Sequence, residues 1–503
     1  MKILMASSEA VPFAKTGGLA DAVSALSLAL AKLGHEIKLV LPRYYNINRA
    51  ELTKLDGEMG VPVGGGEEWC AVYTAELPGS SKKNPVDVYF IDHEHFFGRD
   101  GVYGVPGEPD FLDNPRRFAF FCRGVFQVCR KIGWTPDVFH AHDWPAALVP
   151  VFLKYGEAQR GFPDAVSALT IHNLGYQGVY SKDNFYHTNL GWDVFYNAGF
   201  EDWNMMNMLK AGLYSADKLN TVSPNYARET QTQAHGFRLD GVLRYRSADY
   251  TGILNGIDTD LWNPQKDPYI PEPYSAKDMS GKAKAKAALQ ERFGLPVNPD
   301  VPVIGMVTRL AEQKGVGEVF GPAYGSAWSI CQDMNLQLVL LGSGEPWCEN
   351  EIKSLSYRLA NFKAHIGYSE KESHLIEAGS DFFLMPSRYE PCGLNQMYSL
   401  VYGTLPIVRN TGGLADTVQN FDEKTGKGTG FMFDDLTPSA IYNTVGWANA
   451  AYYNRRKDLE AMRIAGMKQN FSWKKSAELY IKMYESARTP AEEPSAPPRK
   501  AEK

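Results

Sequence analysis

Arg309 and Lys314 stand five residues apart in "TRLAEQKG", directly after the apolar run "VPVIGMV". Two permanent cations beyond the carboxyl end of a strand could neutralise an anionic leaving group such as a diphosphate, although either alone equally suits a solvated loop. Glu390, in "SRYEPCGL", lies between strand-like "DFFLMPS" and a helix predicted from near Gly393. Its carboxylate could accept from sugar hydroxyls and stabilise developing positive charge, or simply favour a helix start. His172 ends the run "LTIH" with Asn173 beside it; a lone histidine at a strand end is more often structural than reactive. Lys15 precedes a Gly-Gly pair and could reach a diphosphate as a point charge, although a lysine there taken alone is more often an exposed surface residue.

That pair belongs to "TGGLAD", which starts at Thr16 and again at Thr411, 395 positions later. Each copy falls between a strand pattern and a helix pattern. Tandem glycines permit a sharp turn and close approach, and a helix start offers free N–H groups to an anion. Two such turns facing one cleft could hold a phosphate-bearing ligand, whereas an isolated Gly-Gly is usually an ordinary turn. "HAHDW" places His140 and His142 on one strand face beside Asp143, a possible zinc set with no fourth ligand nearby. "LGSGEPW" has Trp347 where a dinucleotide fingerprint needs its third glycine, so it reads as a strand-to-helix turn.

The elements that must position these residues form two series. "KILMAS", "EIKLVLPR", "VDVYFID", "PDVFHAH", "AVSALTIHN" and "KLNTVS" read as strands between helical patterns, the pattern of a parallel α/β sheet. A hairpin or loop is expected at 57–66 and a long excursion at 94–115. After a Pro- and Lys-rich connector at 264–302 come "VPVIGMVTRL", "LQLVLLGSGE", "FKAHIGY", "DFFLMPS" and "LPIVRN", a second doubly wound sheet. Helix-like "SGKAKAKAALQERFGL" is expected to present its lysines to solvent. The Pro- and charge-rich end, 488–503, reads as a disordered tail.

Composition fits a soluble globular chain of two large domains or three smaller ones: 503 residues, 44% hydrophobic, 22% charged. The net charge of −6 offers no general field for nucleic acid or acidic membranes. Six scattered cysteines fit a reducing cytosol, and "MKILMASSEAVPF" reads as a buried strand, not a secretory leader. No uninterrupted apolar stretch approaches a membrane span.

Taken in order, "KTGGLADAV", "HAHDWPAAL", "IHNLGYQG", "LNGIDTDLWNP", "TRLAEQKG" and "SRYEPCGLNQMYSLVYGTLPIVRNTGGLADTV" resemble the bacterial glycogen synthase and plant starch synthase family, glycosyltransferase family 5, from residue 1 to about 485. The resemblance implies the α/β GT-B architecture: Rossmann-like domains at 1–253 and 254–471 facing across a cleft, with a helix at 472–487 crossing back. It implies a cytoplasmic enzyme that transfers glucose from ADP-glucose to the non-reducing end of an α-1,4-glucan with retention, without metal or cofactor. His172, Arg309, Lys314 and Glu390 take catalytic roles. Lys15, Gly18, Tyr368, Cys392, Gly393, Leu394, Thr411, Gly412 and Gly413 bind the donor, with Tyr368 a candidate adenine stack that on sequence alone reads equally as a partly buried core tyrosine. Asp21, Asp143, Asn173 and Asn255 fall on the sugar and acceptor side. Closure would bring Lys15 and Gly18 toward Arg309 and Lys314.

Two positions depart from broader patterns. Tyr398 replaces a second glutamate found in wider relatives, as in the synthases themselves, and Pro145 stands where many relatives carry a histidine facing the acceptor. UDP-glucose remains open as a donor, and oligomeric state is open. A glycogen-binding homologue without activity, an NAD-dependent oxidoreductase and a pyridoxal-phosphate phosphorylase are the alternatives, disfavoured by the intact charged set and the incomplete glycine fingerprint.

Overall fold

A computed structural model describes residues 1–105 and 108–489. The chain forms two units. The first comprises Met1–Asn220, Gly241–Thr251 and the chain from Lys474 on; the second comprises Thr221–Asp240 and Gly252–Trp473. Residues 221–240 therefore group with the second unit although they precede position 253.

The first unit is built on a ten-stranded sheet. Lys2–Ala6 lies at its centre, parallel to Glu36–Pro42 on one side and to Val138–His142 on the other. Asp87–Asp92 continues the first side and Val166–Ile171 the second, both parallel. The 57–66 segment is part of a hairpin, Met59–Val63 with Gly66–Glu76. Helix Gly18–Lys32 is rich in Ala and Leu, residues that lose little in a helix, and Gly34 (φ +92°) lets the chain turn back after it. Helix Trp473–Arg488 also belongs to this unit from Lys474 onward.

The second unit has six parallel strands in the order Phe362–Ile366, Gln337–Gly344, Val303–Leu310, Phe382–Met385, Leu405–Arg409, Phe431–Phe433. Ile304, Met306, Leu338, Leu340 and Phe382 are buried with helix residues such as Ile352 and Ile441. Helices covering both faces explain why these strands read as continuous apolar runs.

The lysines of helix Ser280–Arg292 do not form a solvated face. Lys282 and Lys286 are only 6% and 7% exposed. The Lys282 ammonium donates to the Ala378 and Tyr402 carbonyls and to Thr404 Oγ1. Lys286 pairs with Asp381 at 2.8 Å. Burial is tolerated because each ammonium finds fixed acceptors on neighbouring segments. Lys284, between them, points outward. The 488–503 tail lies outside the described residues from 490 on, as do residues 106 and 107 of the 94–115 excursion.

Candidate active site

Each sheet has one place where neighbouring strands lead away in opposite directions, and ligands of open α/β sheets collect beyond the carboxyl ends there. In the second unit it lies between Val303–Leu310 and Phe382–Met385. A cavity of about 160 Å³ opens at that point, lined by Met306–Arg309, Lys314, Leu384–Ser387, Glu390 and Gly393–Asn395. The structure thus brings together Arg309, Lys314, Glu390, Gly393 and Leu394.

The loops beyond the two strands are locked to each other. Gly315 (φ +69°) approaches Pro386 so closely that a Cβ would meet its carbonyl oxygen at 2.0 Å. The Arg388 amide donates to Gln313 O, and Asn395 Nδ2 donates to Val307 O at 2.8 Å. This rigid frame sets Lys314 Nζ 2.6 Å from Glu390 Oε2, which also accepts from Ser387 Oγ at 2.8 Å. Glu390 is 6% exposed, so its charge is balanced by the ammonium in a confined setting. Arg309 is exposed, and its guanidinium has no hydrogen-bond or ion-pair partner among the described residues. One cation is therefore pre-paired and one is free to meet an anion.

Behind Glu390 the chain is supported by the second Gly-Gly turn. Gly413 N donates to Glu390 O, and Cβ atoms on Gly412 and Gly413 would strike Glu390 O and Cys392 O at 1.8 and 2.0 Å. The Gly412 N–H is taken by the Glu229 carboxylate at 3.0 Å, with Thr411 Oγ1 on the same acid. Cys392 is buried, which pushes its thiol up to about 12. Asn255 is buried and its Oδ1 has no partner among the described residues. Tyr368 lies outside the cavity lining, past the strand Phe362–Ile366, and is 82% exposed.

The first unit repeats the design between Lys2–Ala6 and Val138–His142. Glu9, beyond the first strand, accepts from Thr16 N, Thr16 Oγ1, Gly17 N and the Tyr103 hydroxyl. Lys15 pairs with Asp21 at 2.8 Å on the surface, and Gly18 opens the helix. Asp143, just beyond the second strand, sits at φ +57°, a left-handed backbone that Asp tolerates better than most residues. Its Oδ1 accepts from His172 N at 2.6 Å and Asn173 N at 3.4 Å. Burial nevertheless pushes this carboxyl up to about 7. Burial holds His172 down to about 3 and His142 well below its ordinary value, so both imidazoles are neutral. His140 is held by Thr170 Oγ1 and the Tyr484 hydroxyl.

Sequence reasoning missed Glu9, Glu229 and Ser387. The free N–H groups of a helix start demand acceptors, which was signal enough to look for an internal carboxylate. Glu9 lies seven residues before Thr16 and was findable on that ground; Glu229 lies 182 before Thr411 and was not.

Residues 2–245 match the family model described as the starch synthase catalytic domain, and residues 289–460 match glycosyl transferases group 1. A glycogen synthase of Treponema denticola is 59% identical over 97% of this chain and 98% of its own length. Glycogen synthase 1 of Geobacter metallireducens is 46% identical over 96% and 95%. The catalytic domain of starch synthase IV from Arabidopsis thaliana, solved bound to ADP and acarbose, superposes with a TM-score of 0.86 at 31% identity, covering 97% of this chain and 99% of that one. Among the described residues no helix is long and apolar enough to cross a membrane. With the fold, both domain models and near full-length relatives in agreement, the chain belongs to the glycogen and starch synthase family of glycosyltransferases and has their GT-B fold.

Proposed function

We propose that this chain transfers glucose from ADP-glucose to the non-reducing end of an α-1,4-glucan, releasing ADP and retaining the α configuration. The observation that carries the reading is the second unit's cavity, where Lys314, paired to Glu390 at 2.6 Å, and the unpartnered Arg309 stand at the sheet's switch point. Arg309 and Lys314 neutralise the charge that grows on the departing diphosphate. Such preorganised electrostatic stabilisation is worth about 10²–10³ in rate for one donor group. Glu390 keeps Lys314 oriented before the donor arrives and offers acceptors to glucose hydroxyls. The backbone of Cys392–Leu394 receives the glucosyl group, and the exposed ring of Tyr368 is available to stack on adenine. Thr411 and Gly412 reach the donor only where Glu229 gives up their N–H and hydroxyl groups.

In the first unit, Lys15 and Gly18 serve the diphosphate, and Asp21, Asp143 and Asn173 serve the sugars. His172 contacts the transferred glucose, and Asn255 of the second unit contributes its unpartnered carbonyl oxygen. Retention proceeds by front-face displacement assisted by the departing diphosphate; a trapped covalent glucosyl–enzyme intermediate would overturn that step. The enzyme works in the cytoplasm.

Nucleotide release with glycogen, offering ADP-glucose and UDP-glucose separately, tests the assignment. Glycogen-dependent ADP release that Glu390→Ala reduces about 10²-fold or more supports it. Release from UDP-glucose alone would overturn the donor, and release from neither would overturn the activity.

A further inference from the structure

The buried side of His172 is occupied by another histidine, and the order of donors and acceptors behind it can be worked out. His172 Nε2 lies 3.1 Å from His142 Nδ1. The other nitrogen of His142, Nε2, lies 3.5 Å from the sulfur of Met5, on the central strand Lys2–Ala6. A thioether has no proton to give, so it can only accept. His142 Nε2 therefore carries the hydrogen. His142, being neutral, then has a bare Nδ1, and the hydrogen in its bond to His172 must come from His172 Nε2. In a neutral imidazole the second nitrogen is then unprotonated. His172 Nδ1 has no hydrogen-bond partner among the described residues, and it is an acceptor.

The neighbouring histidine obeys the same logic and keeps the arrangement in place. Thr170 Oγ1 donates to Asn220 Oδ1, so it accepts from His140 Nε2, leaving His140 Nδ1 to accept from the Tyr484 hydroxyl. The His140 and His142 rings lie 4.1 Å apart between centroids, so a fixed His140 limits how His142 can turn. On the backbone side, Asp143 holds the His172 amide at 2.6 Å. Ring and backbone of His172 are thus gripped by consecutive residues, His142 and Asp143.

We propose that Met5 and His142 are positioning residues for glucosyl transfer: they hold His172 as its Nε2–H tautomer so that Nδ1 stays an acceptor for a substrate hydroxyl. The part concerning transfer rests on the reading that His172 meets the transferred glucose; the tautomer itself does not. A histidine with the opposite tautomer would point an N–H at that hydroxyl and force it to accept, which changes the orientation of the sugar's own proton. The mechanism in this family needs the glucose fixed while the diphosphate leaves, so the choice of tautomer is a choice of substrate geometry.

The test is nitrogen-15 NMR of the intact protein labelled at histidine, with the His172 signals assigned by their loss in His172→Ala. The proposal expects a protonated, pyrrole-like Nε2 and a bare, pyridine-like Nδ1 on His172 between about pH 6 and 8, around the ordinary histidine pKa. A protonated Nδ1 in the unaltered protein would overturn it without any kinetics. Met5→Leu keeps the bulk and removes the acceptor. It is expected to mix the two His172 tautomers and lower kcat about five- to tenfold, the worth of roughly one hydrogen bond, with KM for ADP-glucose little changed. Mixed tautomers with an unchanged kcat would overturn the role in transfer. Full activity in His172→Ala would overturn that role through the functional reading, while the spectrum of the unaltered protein still decides the tautomer.

Discussion

Thr16–Asp21 and Thr411–Asp416 are the same six residues, each placed after a parallel strand at the start of a helix. In the first copy Thr16 and Gly18 are exposed, and a Cβ on Gly17 or Gly18 would meet none of the described residues within 4 Å. In the second, Thr411, Gly412 and Gly413 are buried, and both glycines press against the backbone that carries Glu390. The closing acid differs in the same sense. Asp21 pairs with the exposed Lys15, whereas Asp416 accepts from Asn225 N at the start of the helix Pro224–Glu229, whose last residue in turn holds Gly412 N. One copy keeps its glycines open to what approaches from outside. The other uses them to let two backbone segments touch. A repeated motif is therefore not a repeated reason.

The strongest way to break this contrast is to add one methyl group to each copy. Gly412→Ala puts a Cβ 1.8 Å from Glu390 O at φ +46°, a clash and a strained backbone together. It is expected to cost about 3 kcal/mol or more and to displace Glu390, lowering both the melting temperature and kcat. Gly18→Ala has open space and a helical position, so its stability should change by no more than about 0.5 kcal/mol. Its cost should appear instead as a raised KM for ADP-glucose. Equal losses of stability in the two variants would sink the distinction.

The two switch-point acids sharpen it next. Glu390 has an ammonium at 2.6 Å, while Asp143, in a buried place, accepts only backbone N–H groups among the described residues. Because burial raises the Asp143 carboxyl from 3.8 to about 7, the folded state holds its proton more tightly than the unfolded chain does. Its contribution to stability is complete below about pH 4 and is lost as pH rises through about 7. Asp143→Asn, which tolerates the left-handed backbone, should flatten the pH dependence of the melting temperature between those limits. An unchanged slope would mean that Asp143 is ionised throughout. His172, held near 3, should add no step to the activity profile between pH 5 and 8.

The parallel sheets were legible because strands buried on both faces must be apolar throughout, and "VPVIGMV" or "PDVFHAH" admits little else. The charged set at Arg309, Lys314 and Glu390 was legible because all three follow such strands. What escaped depends on partners remote in sequence. Lys282 reads as a surface residue until the Tyr402 carbonyl, 120 residues on, becomes its acceptor. The open or closed surroundings of each Gly-Gly pair are likewise tertiary facts: six identical letters cannot say which backbone lies against them. The tautomer of His172 needs Met5, a residue that reads only as core.

The smallest effect tests what occupies the two helix starts. Glu9 and Glu229 each place a carboxylate on the N–H groups of their own turn, where a helix start favours negative charge. Glu→Gln keeps the shape, removes the charge and turns one end of the group into a donor. At Glu9 every partner is itself a donor or a hydroxyl: Thr16 N, Thr16 Oγ1, Gly17 N and the Tyr103 hydroxyl. Glu9→Gln should therefore cost about 1–2 kcal/mol, read as a lower urea midpoint. Glu229 is less buried, so Glu229→Gln should cost nearer 1 kcal/mol or below. The two variants part in their kinetics. Loss at Glu229 loosens a turn that supports the Glu390 backbone, and kcat should fall. Loss at Glu9 loosens a turn whose glycines press on no other backbone segment among the described residues, and the change should be confined to KM for the donor. A fall in kcat with Glu9→Gln and none with Glu229→Gln would reverse the assignment of which copy supports the protein and which one meets the ligand.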